Sequence, residues 1–92
     1  MDNVRRLLQI ERQNALRLHG NLTQDPIRCS AILTEELGEV TREALALTRP
    51  EGGLRETREK MRREIAQLVS VGILWLENLE DEDNQFQEGN IR

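Results

Sequence analysis

Aromatic residues are almost missing from this chain: one Trp, one Phe and no Tyr among 92 residues. With 37% hydrophobic residues overall, any core is thin and aliphatic, and a second subunit would help to complete it. Cysteine is limited to Cys29, which excludes an internal disulfide and fits a reducing compartment. No apolar run approaches the roughly 20 residues that span a bilayer. The opening MDNVRRLLQI lacks the long apolar centre of a secretory leader. A cytoplasmic protein without a membrane span is therefore expected. There is no Ser/Gly linker, no internal repeat and no strand-like alternation, which leaves a single all-α domain. Excess positive charge is missing too: the net charge is −4, so no general attraction to nucleic acid is expected.

The helices can be placed by their stops. Asp2 and Asn3 can cap a first helix whose apolar residues, Val4 to Leu18, recur at helical spacing up to His19. Gly20-Asn21 ends it. Asp25-Pro26 reads as an N-cap followed by the first helical position of a second helix running to about Thr48. Arg49-Pro50 and Glu51-Gly52-Gly53 break that helix. A third helix starts near Leu54. Its first part, LRETREKMRRE, is charged almost all round, with Arg55–Glu59 and Glu59–Arg63 as supporting i,i+4 pairs. From Ile65 to Leu79 it is apolar on most sides, and such girth calls for cover on most sides. With two other helices available, a bundle completed by oligomerisation is expected. Residues 1–80 then form the helical domain, and 81–92 a polar tail that is frayed or docks Phe86 on a neighbour.

What the chain has in plenty is glutamate in unusual places. In ILTEELGEVTREALAL (32–47), Leu33, Leu37, Val40, Ala44 and Leu47 form an apolar stripe expected to face inward, with Glu36, Glu39 and Glu43 beside it. The fourth residue after Glu35 is Glu39, and after Glu39 it is Glu43. Like charges at i,i+4 cost stability, and a divalent cation with oxygen ligands is the simplest offset. Glu36 and Glu39 are spaced i,i+3, as are Glu64 and Gln67 on the third helix. If the break near Pro50 folds these helices antiparallel, the two pairs meet. Inward carboxylate pairs on facing bundle helices hold metal ions, and a histidine-free oxygen set favours Mg²⁺ or Mn²⁺.

At this point the chain resembles a family. Glu35-Glu36-Leu37-Gly38-Glu39, a gap of Val40 to Arg63, and Glu64-Ile65-Ala66-Gln67 are similar to the EExxE and ExxD motifs of the MazG-type all-α nucleoside triphosphate pyrophosphohydrolases. The flanks DPIRCSAILTEELGEVTREAL, REIAQLVSVGILWLENL and ERQNALRLHG resemble a small single-domain MazG-like subgroup, over roughly Gln9 to Leu79. The resemblance implies Mg²⁺ (or Mn²⁺) on Glu36, Glu39 and Glu64, and a catalytic role for Glu35 in holding or deprotonating the attacking water. It further implies cleavage of a nucleoside or deoxynucleoside triphosphate to the monophosphate and pyrophosphate, by a homodimer or homotetramer. Gln67 departs from the family's usual Asp; its amide oxygen can ligate but brings no charge.

Other residues carry two readings each. Lys60 and Arg63 are phosphate-binding donors or part of a solvated helix face. His19 is a helix-end cation or a base contact. Asn78 bonds the sugar or a phosphate, or faces water, while Trp75 is core or interface and Cys29 is structural. Two other functions compete with the enzyme: a non-catalytic helical interaction protein that has lost full metal binding through Gln67, and a nucleic-acid binder using Arg55–Arg63. Acidity and the shortage of aromatics weigh against the second.

Overall fold

The side chain of Asp25 accepts hydrogen bonds from the backbone N–H groups of Ile27 and Arg28 at 3.0 and 3.1 Å. Pro26 follows at a position that needs no donor, so the expected start of the second helix is found. In the computed structural model, which describes residues 2–20, 25–49 and 52–91 and side-chain environments as far as Asp81 and at Asp83, the chain is all-helical. The helices are α1 (Asp2–His19), α2 (Pro26–Ala46) and α3 (Leu54–Ile91). Gly20, at φ +62°, closes α1 by donating to the Leu16 carbonyl at 2.9 Å; a side chain there would be strained. Gly53, at φ +96°, precedes α3, and its carbonyl accepts from both the backbone N–H and the hydroxyl of Thr57. Pro50, Glu51 and Asn21, to which chain breaks were assigned, lie outside the described residues.

The long third helix is the spine, and α1 and α2 each pack on α3 rather than on each other. Arg12 of α1 reaches Glu77 at 2.7 Å, whereas His19 shares a small cavity with Gln67; α1 therefore runs antiparallel along the second half of α3. Leu33 of α2 meets Gly72 and Trp75, and Arg49 lies across from Thr57 and Lys60, so α2 runs antiparallel along the first half. The two overlap over the middle of α3. There the core forms from Ala15, Cys29, Ile32, Val71 and Leu74, with Leu33 and Trp75 against it.

Two expectations need amending. The inward stripe of α2 is rotated from the one read in the sequence: Cys29 and Ile32 are buried, while Leu37 is 53% exposed and Ala44 is exposed. The seam facing α3 runs through Cys29, Ile32, Glu36, Glu39, Glu43 and Ala46, alternating three and four residues apart, so the acids occupy positions an ordinary bundle gives to Leu. In addition, α3 does not stop near Leu79 but continues to Ile91, because no proline interrupts the segment and its Glu and Gln residues tolerate helix well. The docking of Phe86 falls outside the described side chains.

This arrangement leaves α3 half covered. Ile65, Val69, Leu76 and Leu79 are all at least 40% exposed, and with Gly72 they make a third line at 65, 69, 72, 76 and 79, again alternating four and three. The molecule measures 60 × 29 × 19 Å with a radius of gyration of 16.3 Å. A compact chain of this length would have about 12 Å.

Candidate functional site

Where the α2 seam crosses the first half of α3, one carboxylate oxygen from each of Glu36, Glu39 and Glu64 lies within 4.8 Å of the other two. All three groups are half-buried. The i,i+3 spacing on α2 puts Glu36 and Glu39 one above the other, and the antiparallel α3 brings Glu64 opposite them. Glu64 is pushed up to about 7 by burial, by a hydrogen bond with Glu39 that its protonated form makes, and by the charges of Glu39, Glu36 and Glu43. Glu36 is likewise raised, first by burial and then by Glu39, Glu35 and Glu11. Raised carboxylates of this kind mark charge held together without a counter-ion. Neither described ion pair, Arg12–Glu77 or Arg55–Glu59, reaches them.

Four buried side-chain oxygens among the described residues have no hydrogen-bond partner, and three of them are carboxylate oxygens at this junction: Glu11 Oε2, Glu36 Oε2 and Glu64 Oε2. Unpartnered buried anions are costly. Close-set, hard oxygen donors with free lone pairs fit Mg²⁺ or Mn²⁺.

Gln67, one turn beyond Glu64, lines a cavity of about 20 Å³ together with Glu36, Glu11, Asn14 and His19. The structure thus brings His19, from the end of α1, beside two of the expected ligands. Glu35 is exposed, but its charge acts on Glu36, which puts it at the rim. Lys60 lies on the other side of Glu64, in an open groove of about 460 Å³ shared with Arg42, Glu43 and Arg49. Arg63 is exposed and Asn78 half-buried; neither lines this cavity or groove. Asn78 lies about 16 Å along α3 from Gln67 at 1.5 Å per residue, away from the carboxylates.

No family model, curated protein or solved structure matches this chain. The chemistry of the site therefore rests on its own residues.

Sequence reasoning missed Glu11, which is 5% exposed. In ERQNAL it looks like one more charge on a polar helix. A signal was present: Leu8, Glu11 and Ala15 follow one another at three- and four-residue steps, so Glu11 takes an inward seam position.

Proposed function

We propose that this chain is a MazG-like pyrophosphohydrolase that cleaves nucleoside or deoxynucleoside triphosphates with Mg²⁺ or Mn²⁺, acting in the cytoplasm as a homodimer or homotetramer. One observation carries the reading: Glu36, Glu39 and Glu64, from two antiparallel helices, offer three carboxylate oxygens within reach of a single ion, inside a motif with the EExxE and ExxQ spacing. When bound, the cation neutralises the polyphosphate and acidifies water in the site. Glu36, Glu39 and Glu64 hold it, and their fixed geometry sets the approach of the substrate. Glu35, open to solvent beside them, accepts a hydrogen bond from the attacking water and takes its proton. The water oxygen bonds to the α-phosphorus as the bond to the bridging oxygen breaks, giving the monophosphate and pyrophosphate. Lys60, with Arg42 and Arg49 in the same groove, supplies donors for phosphate oxygens.

The oligomer is supported by the uncovered line of α3. An apolar seam with 3.5-residue spacing pairs with another such seam, and a second copy of this chain supplies one. Leu33, Gly72, Trp75, Leu76 and Leu79 line a groove of about 330 Å³ there with no polar surface.

Gln67 favours a second reading, a helical interaction protein with weakened ion binding, since an amide contributes no charge. Incubation with each common NTP and dNTP in Mg²⁺ or Mn²⁺, with product analysis, separates the two. Pyrophosphate release from at least one nucleotide is expected. No turnover of any nucleotide, together with no Mn²⁺ uptake in calorimetry even with a non-hydrolysable analogue present, would overturn the enzyme reading.

A further inference from the structure

The small cavity where α1, α2 and α3 meet poses a question beyond the three-carboxylate cluster. Glu11 is 5% exposed. Its Oε1 accepts from Asn14 Nδ2 at a weak 3.4 Å, and its Oε2 has no partner. An ionised carboxylate buried without a cation or strong donors is among the least favourable arrangements in a protein. Glu11 lines the cavity with Glu36 and Gln67, and its charge acts on Glu36. The cavity, about 20 Å³, has room for one water or one ion and little else, since a water needs roughly 10–15 Å³ by this measure. Water would solvate the carboxylates without neutralising them.

We propose that Glu11, Glu36 and Gln67 hold a second divalent cation, with Mn²⁺ preferred over Mg²⁺, and that Glu11 on α1 supplies the negative charge that the amide of Gln67 does not. The preference follows from hydration. Mg²⁺ gives up water reluctantly and keeps several waters in most protein sites, for which this cavity is too small. Mn²⁺ parts with water more easily and accepts a mixed carboxylate and amide set. Glu36 belongs to both positions, so the two ions share a ligand. The inference rests on the reading of Glu36, Glu39 and Glu64 as a cation site and extends it to a helix outside the motif.

The test is Mn²⁺ titration of the full chain by calorimetry and by electron paramagnetic resonance, in nucleotide-free buffer. Wild type should take up two ions per chain, with the broadened spectrum of neighbouring spins. Glu11→Gln should weaken the second ion by at least about tenfold, on the scale of losing a supporting ligand, and leave the first in place. Adding Gln67→Asp to Glu11→Gln restores the charge count and should recover the second ion. Unchanged stoichiometry and affinity in Glu11→Gln would overturn the inference while sparing the proposed function, and uptake of a single ion by wild type would do the same. Uptake of none, even with a non-hydrolysable nucleotide, would overturn both. If Glu11→Gln fails to fold, Glu11→Asp keeps the charge but shortens its reach, and the same loss of the second ion is expected.

Discussion

Burial, a hydrogen bond that its protonated form makes to Glu39, and neighbouring charge push Glu64 up to about 7. Replacing Glu39 with Gln removes a cation ligand together with a repulsive charge. Turnover should fall by on the order of 100-fold or more, while the melting temperature in EDTA holds or rises. A large loss of metal-free stability would contradict the view that this carboxylate is repelled at its site. The pH dependence follows from the same pair. The folded chain holds a proton on Glu64 up to about pH 7, whereas an unperturbed carboxylate releases it near 4.5; the raised Glu36 has the same sign. More protons are bound in the folded state across that window, so metal-free stability should fall as pH rises from about 5 to 7 and level off above. Saturating Mn²⁺ competes with the proton and should flatten the profile. Melting curves at four pH values with and without EDTA check this, and a metal-free melting temperature that climbs between pH 5 and 7 would refute it. Glu36 and Glu39 were legible in the sequence because carboxylates repeat there at i,i+3 and i,i+4 with no basic residue at i+4, whereas Glu64 was reached through its i,i+3 spacing to Gln67 and the likeness of that pair to ExxD. Glu11 was not, because its neighbours Arg12 and Gln13 are polar and burial depends on which side of α1 meets α3.

At the scale of the helices, start and stop signals were legible where they act locally. Asp25-Pro26 and Gly20 work through their own backbone groups and need no tertiary partner. The facing of α2 was harder to read. Its apolar residues form two adjacent lines, Cys29-Ile32 and Leu33-Leu37, and only packing on α3 chooses between them. The length of α3 was underestimated for a related reason: a polar segment without proline carries no signal of where a helix ends. The exposed line of α3 makes its own prediction. Leu76, 67% exposed, sits well away from the carboxylates, and Leu76→Lys should convert the assembled form to monomer in light-scattering chromatography without unfolding α3 by circular dichroism. If the wild-type chain is already monomeric at high micromolar concentration, the line is not a self-association seam.

For the whole molecule, the all-helical class was plain from composition and periodicity, while the stagger of α1 and α2 along α3 was not. It depends on which short core wins, and the core of Ala15, Cys29, Ile32, Val71 and Leu74 draws from all three helices only where they overlap. That stagger also governs how the molecule opens. The α2–α3 hairpin is joined by contacts close in sequence, whereas α1 is held by part of a small core and one half-exposed ion pair with Glu77, worth about 0–1 kcal/mol. Local unfolding should begin at α1. Lifting α1 also returns the stranded carboxylate of Glu11 to water, so the same motion that loosens the structure relieves a buried acid without a full set of partners. Amide hydrogens of α1 should therefore exchange faster than those of Cys29–Glu39 and Val71–Trp75 in EDTA, and should slow selectively when Mn²⁺ is added. Seen this way, α1 is a clasp whose fastening depends on the ion beneath it, and exchange rates that ignore the ion would show that the clasp closes by packing alone.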